Sequence, residues 1–178
     1  MSFHDFSFET ERLVVREWAS FAPSEWQERS LPDVVVRVMT AKVTASLPED
    51  WQGAFSRSRA VEWIQERDRE GVTLMVVSRA SRLALGFMIL HLFEDGESER
   101  STVRLGYLLS ESSWGQGLGS ELIAGFLKWA RGAGVASVLG GVAADHLASQ
   151  RVLEKNGFVV VESPESGPSG ELLFEWIP

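Results

Sequence analysis

The chain has 178 residues, 44% hydrophobic and 24% charged, which suits one soluble globular domain with enough length to bury a sizeable core. A formal charge of −8 argues against gripping nucleic acid through its phosphates, and the lack of cysteine excludes disulfides, thiolate metal sites and a cysteine nucleophile. The three histidines, His4, His91 and His146, are scattered without ligand spacing, so no metal is expected.

In chain order, residues 1–6 lack a basic run followed by an apolar one, so no signal peptide is read and the cytosol is the expected compartment. No apolar run approaches the roughly 18 residues that cross a bilayer, so no membrane partner is expected. Leu13, Val14, Val15 and Arg16 open a strand-like stretch within residues 8–18. Residues 20–70 read as helical and irregular, and Val34 to Val38 fits a buried helix or a strand, which periodicity cannot separate. Residues 58–67 place Val61, Ile64 and the Arg67 stem on one helical stripe, with Gly71 closing the helix in a left-handed conformation.

Three apolar strands follow at residues 72–78, 85–93 and 103–109, joined by a turn at 80–82 and a charged loop at 94–100. Such short connections imply an antiparallel meander. The period then changes. Leu122, Ile123, Phe126, Leu127 and Ala130 carry helical spacing over residues 120–131, ended by Gly132 and Gly134. Residues 137–143 read as a buried strand and 148–156 as a short helix with Asp145 as its cap and Gly157 as its stop. A last hairpin pairs 158–162 with 171–177. The seven tryptophans are expected in the core or in cleft walls. With no repeat or linker, residues 1–178 are expected to form a single α+β (mixed α/β) domain, a mostly antiparallel sheet of about six to seven strands with helices on both faces.

Between the strand ending at Leu109 and the helix beginning at Ser120 stands Trp114-Gly115-Gln116-Gly117-Leu118-Gly119. Three alternating glycines remove Cβ atoms where a helix starts, so unpaired N–H groups and the positive helix end face one small volume. That arrangement suits a pyrophosphate and lets an acidic protein hold an anion on oriented amides. The competing reading is a plain connecting turn. A P-loop is excluded because no Gly-Lys-Ser/Thr follows, and the dinucleotide fingerprint spaces its glycines differently.

Downstream lies Asp145-His146-Leu147-Ala148-Ser149-Gln150-Arg151-Val152-Leu153-Glu154-Lys155-Asn156-Gly157-Phe158. Taken together, the two segments resemble the GCN5-related N-acetyltransferase (GNAT) superfamily. Its coenzyme-A loop, Arg/Gln-x-x-Gly-x-Gly/Ala, is matched by Trp114, Gly117 and Gly119. Its later motif, Asn-x-x-Ala/Ser followed by Lys-x-Gly-Phe, runs from His146 through Ser149 and Lys155 to Gly157 and Phe158. Residues 10–16, Leu105-Gly106-Tyr107 and residues 149–155 look like the branch that includes the ribosomal-protein N-terminal acetyltransferases. Three departures stand out. Trp114 replaces arginine or glutamine, His146 replaces asparagine, and Leu153 stands where many members carry a tyrosine that protonates the departing thiolate.

The resemblance implies a sheet splayed between its fourth and fifth strands, with pantetheine slotted between them like an added strand. It implies acetyl-CoA as cosubstrate, held by Leu108, Leu109, Trp114, Gly115, Gln116, Gly117, Leu118, Gly119, Ser120, His146, Ser149, Arg151 and Lys155. A main-chain N–H near Leu109 would hold the thioester oxygen as it becomes an oxyanion. Ser149 is a candidate acid, set against a serine that merely bonds backbone in a first helical turn. His146 is a candidate base, set against a capping or sheet-edge residue. Tyr107 and His91 read as structural. The acceptor is an amine, with Trp26, Glu49, Asp50 and Trp51 as candidate cleft lining and Asp95, Glu97 or Glu99 within reach of it. A monomer or a homodimer fits. Two other readings compete: a coenzyme-A-binding sensor or interaction module without turnover, and a nucleotide-binding protein that uses the glycine turn.

Overall fold

The computed structural model describes residues 6–22, 24–28, 30–94, 101–161 and 171–178. The strands are β1 (Phe8–Glu9), β2 (Leu13–Glu17), β3 (Val72–Ser78), β4 (Ala84–Glu94), β5 (Ser101–Leu109), β6 (Ser137–Ala143), β7 (Val159–Val161) and β8 (Glu171–Trp176). The helices are α1 (Leu31–Val38), α2 (Ala41–Thr44), α3 (Arg57–Glu70), α4 (Leu118–Gly132) and α5 (Leu147–Lys155). Among the described residues the strands form one eight-stranded sheet in the order β1-β2-β3-β4-β5-β6-β8-β7. Every neighbouring pair is antiparallel except β5 and β6.

The central strands read as continuous apolar runs because both of their faces are covered. Leu74, Val76, Met88, Leu90, Val103 and Leu105 pack under α4, against Leu122, Ile123, Phe126 and Leu127. Met75, Val77, Phe87, Ile89 and Leu108 face the other way, against Val34, Val35 and Val38 of α1 and Ala60 and Trp63 of α3. The sheet has eight strands where six or seven were expected, since the two-residue β1 carries no sequence pattern of its own.

Three local expectations are settled or corrected. Val34 to Val38 is helical, and the deciding signal is the cap: the Ser30 side chain accepts from the Asp33 N–H, with Pro32 in the first turn. On α3 the buried residues are Ala60, Trp63 and Arg67, whereas Val61 is exposed. Gly71 is not left-handed. Its φ of 176° is extended, and glycine is needed there because a Cβ would lie 2.6 Å from the Leu90 carbonyl oxygen.

Two features place the site. First, the β5–β6 ladder runs only from Thr102↔Ser137 to Leu105↔Gly140, while β6 stays paired with β8 as far as Ala143↔Glu171. Beyond Leu105 and Gly140 the two strands part. Second, the β1–β2 turn is tied to the start of α4. The Glu121 carboxylate accepts from Thr10 Oγ1 at 2.5 Å, the Arg12 N–H at 2.8 Å and Arg12 Nε at 2.6 Å.

Partial burial raises the Glu121 pKa, and the bonds from Thr10 and Arg12 outweigh it, leaving the carboxyl below its ordinary 4.5. A depressed carboxyl contributes stability that is full above the unfolded pKa and is lost as pH falls through the folded one. In urea titrations the stability gap between the wild type and Glu121→Gln is therefore expected to be widest above pH 4.5 and to close under acid. A gap independent of pH would contradict this account of the tie.

Candidate active site

The parting of β5 from β6 exposes a definite set of main-chain groups. The Ser110 N–H donates to Leu85 O at 2.7 Å, which continues the β4–β5 ladder. By antiparallel alternation, Leu108 exchanges its bonds with Phe87, whereas Tyr107 and Leu109 turn their main-chain groups away from β4. These point to the side where pairing with β6 has ended. The Leu109 carbonyl is taken by Trp114 Nε1 at 2.9 Å. The Leu109 N–H and both main-chain groups of Tyr107 remain as an open edge. Leu108 reaches the cleft through its side chain.

The glycine turn stands at the mouth of this gap. Gly115 and Gly117 have φ of 71° and 77°, which side chains with a Cβ rarely adopt, and Gly117 caps the 15-residue α4. Gly119 is helical, with no such demand. The first intrahelical bond runs from the Glu121 N–H to Gly117 O, so the N–H groups of Leu118, Gly119 and Ser120 precede the helical pattern. None of the N–H groups of residues 115–120 donates to another described residue. Trp114 is half exposed, and its indole bond ties this turn to the end of β5. Gln116 braces the loop from within, donating to Ser112 O at 2.7 Å.

Arg12 is a member of this corner that the sequence reading missed. Its Nη1 donates to Gln116 O at 2.9 Å, and its Nη2 lies 3.7 Å from where a Cβ on Gly117 would stand. The guanidinium therefore borders the open amides with positive charge. Nothing local announces it, since Arg12 lies in the β1–β2 turn more than 100 residues earlier.

The inner side of the gap carries the first turn of α5. Ser149 Oγ lies 3.0 Å from the Tyr107 hydroxyl. Tyr107, expected only to pack in the sheet, thus presents its phenol to the cleft. Burial pushes its pKa up from 10.0, with the Ser149 hydrogen bond opposing. His146 occupies the N-cap position of α5 without a side-chain capping bond, and the cap expected from Asp145 does not form. Protein packed beside the imidazole lowers its pKa below 6.5, against a smaller upward pull from Asp145. Both the direction of the shift and its cause favour the neutral imidazole over the cation. Leu153 is buried in the core and also meets the cleft. Arg151 and Lys155 lie exposed on α5 and pair with no described residue. Ser120 is held by Asn156, whose Nδ2 donates to its Oγ at 3.2 Å.

Both open strand edges, His146 and Ser149 line one cleft of about 220 Å³. Its far wall comes from Leu47, Pro48 and Trp51, so Trp51 takes the place expected of it. Trp26 packs instead against the core between the sheet and α1, and Asp50 lines a separate hollow beside α3. His91, Arg104 and Glu171 also line the cleft, and no motif had singled out the last two. Asp95, Glu97, Glu99 and the loop at 163–170 lie outside the described residues. Among the described residues no three His, Asp or Glu side chains gather as a metal group, and no helix is long and apolar enough to cross a membrane.

A sheet that opens beside a glycine-capped helix, with free amides at the mouth and a free strand edge within, is the architecture of a coenzyme-A-dependent acyltransferase. The chain belongs to the GNAT acetyltransferases: the profile of the Acetyltransferase (GNAT) domain matches residues 12–159. It is an acetyl-CoA-dependent acyltransferase. Solved structures repeat the fold at low identity. A GNAT-family acetyltransferase from Bacillus anthracis aligns with a TM-score of 0.73 at 18% identity, covering 96% of this chain and 98% of that one. A putative ribosomal-protein-serine acetyltransferase from Vibrio cholerae aligns at 0.68 and 17%, covering 97% and 98%. RimL, a ribosomal L7/L12 alpha-N-protein acetyltransferase in complex with coenzyme A, aligns at 0.70 and 18%, covering 94% and 95%. No curated protein matches the sequence.

The environment of His146 makes a direct prediction. In a histidine NMR titration its midpoint is expected below 6.5, and Asp145→Asn lowers it further by removing the one opposing charge. A midpoint above 6.5 would mean that the ring is held as a cation.

Proposed function

We propose that the chain, acting as a single acetyltransferase domain, transfers the acetyl group of acetyl-CoA to a primary amine by direct attack in a ternary complex. The amine is an N-terminal α-amine or a small-molecule amine. The observation that carries this reading is the open edge of β5: Leu109 and Tyr107 have unpaired main-chain N–H groups where pairing with β6 ends, Tyr107 lines the cleft, and Gly119 at the start of α4 lies close to both of their side chains.

The diphosphate of acetyl-CoA sits on the amides of residues 115–120, at the positive end of α4, beside Arg12. Trp114 serves by bracing the turn. Pantetheine extends the β5 edge as a strand would, between Leu108 on one side and His146 and Ser149 on the other. Arg151 and Lys155, free on α5, meet the adenosine end. Along this edge the Leu109 N–H comes first and the Tyr107 N–H lies deeper. The donor that meets the thioester carbonyl stabilises the oxyanion of the tetrahedral intermediate.

The amine nitrogen attacks the carbonyl carbon, a C–N bond forms, and the C–S bond breaks with its electron pair on sulfur. The chain has no cysteine to form a thioester with the acetyl group, which favours this single displacement. The thiolate, with a conjugate acid of pKa about 8.5, leaves well. The Ser149 hydroxyl, behind which stands the Tyr107 hydroxyl, relays a proton to it that balances the one given up by the attacking nitrogen, so both hydroxyls end protonated. An α-amine of pKa about 8 is roughly one-tenth neutral near pH 7, against about one part in a thousand for a lysine, so the mechanism favours the α-amine. The cytosol fits this cosubstrate, and either a monomer or a homodimer accommodates the cleft.

A screen of coenzyme-A release against N-terminal peptides, lysine side chains and small amines tests the reading. Turnover with an α-amine is expected, and a clear preference for lysine side chains would overturn the α-amine assignment. Ser149→Ala is expected to lower kcat about a hundredfold with little change in KM for acetyl-CoA. His146→Asn is expected to stay within a few-fold of wild type. A large loss there at constant fold would move the proton-transfer role to the imidazole.

A further inference from the structure

The acceptor side of the cleft carries an arrangement of charge that the acetyl-transfer chemistry does not use. Gly106 of β5 and Gly141 of β6 lie on opposite sides of the gap and leave it without side chains. Nothing stands within 4 Å of where a Cβ on Gly106 would be. Over Gly141 two opposite charges converge. A Cβ there would lie 3.5 Å from Arg104 Nη2 and 3.6 Å from Glu171 Oε2. Arg104 and Glu171 are exposed to the cleft, and neither side chain makes a hydrogen bond or ion pair with another described residue.

Register explains why they meet. Arg104 lies opposite His91 in the β4–β5 ladder, which sets both side chains on one face of the sheet. Glu171 lies opposite Ala143, two residues along β6 from Gly141, so it shares that face. Facing them across the cleft are the apolar side chains of Leu47, Pro48 and Trp51.

Resting on the acetyl-transfer reading above, we infer that the acceptor is a free amino acid with an apolar side chain, its carboxylate held by Arg104 and its ammonium by Glu171. A guanidinium presents a planar fork of donors that matches a carboxylate with two parallel bonds, so Arg104 selects for that group. Glu171 gathers the ammonium form beside the thioester. After the nitrogen gives up one proton to solvent, its lone pair attacks the acetyl carbon. The products are the N-acetyl amino acid and free thiol, and a second proton lost from the nitrogen balances the one taken up by sulfur. The apolar wall of Leu47, Pro48 and Trp51 takes the side chain. A polyamine would set a second cation against Arg104, and a peptide N-terminus has no carboxylate next to its amine, so Arg104 would lose its partner.

The test compares leucine, leucinamide, a tripeptide beginning with leucine, and spermidine as acceptors for the intact protein, by coenzyme-A release. The comparison is made at a pH above both amine pKa values, where the weaker base of the amide gives it no advantage in neutral nitrogen. Leucine is there expected to exceed leucinamide in kcat/KM by about tenfold or more, the usual worth of a charged hydrogen bond. Arg104→Gln is expected to abolish that advantage while leaving leucinamide turnover within a few-fold. Unchanged thermal protection by acetyl-CoA shows that the variant is folded and still binds its cosubstrate. Equal or better use of the amide or the tripeptide by wild type would overturn the inference, as would an equal loss on acid and amide in the variant. In both cases acetyl transfer itself would stand. Silence toward every amine, with acetyl-CoA still protecting the fold, would remove the transferase reading and this inference together.

Discussion

Everything in this protein depends on a ladder of hydrogen bonds that stops halfway. β5 and β6 are paired as parallel strands for four residues each and then separate, although both continue as regular strands held on their outer edges. An interrupted ladder inside a sheet leaves N–H and C=O groups without partners, a state that costs free energy unless another strand-like group or water satisfies them. Here they open to a cleft in the middle of the sheet rather than at its rim. In the binding mode proposed above, the extended arm of acetyl-CoA supplies amide groups of the kind these edges lack.

The electrostatics follow the same logic. The chain carries a net charge of −8 and nevertheless belongs to a family whose cosubstrate is an anion. Positive potential is gathered at one corner, where the open amides at the start of α4 meet the Arg12 guanidinium. Glu121 lies close by, yet it is occupied by three hydrogen bonds from Thr10 and Arg12. Its charge is thereby spent on anchoring Arg12 at the turn. The far side of the cleft is organised differently, with separate opposite charges on a glycine floor and an apolar wall opposite.

What was legible in the chain was what is local. The meander, the long amphipathic helix, the glycine turn and the α5 segment each announce themselves within a window of some fifteen residues, and their order resembles one superfamily. The misreadings arose where a local cue had two explanations. Gly71 was taken for a left-handed cap because glycines commonly end helices, whereas it is there so that α3 can pass close to the β4 backbone. Val61 looked like part of a buried stripe on spacing alone, and the bulk of Trp63 turns the helix so that Ala60, Trp63 and Arg67 face inward. Tyr107 does pack against the core as its strand position implies, and only its hydroxyl contact with Ser149, 42 positions away, has no local cue.

The sequence by itself determined the meander, the helices from α3 onward, the glycine turn and the family, because helical and strand periods and turn residues are set by neighbours along the chain. Only the tertiary structure decided where the β5–β6 ladder ends, that Arg12 reaches the glycine turn, that Tyr107 meets Ser149, and that Arg104 and Glu171 converge over Gly141. Each of these is a meeting between segments whose separation along the chain carries no pattern. Which side chain faces the gap follows from strand register, and register is fixed by how whole faces pack against their helices.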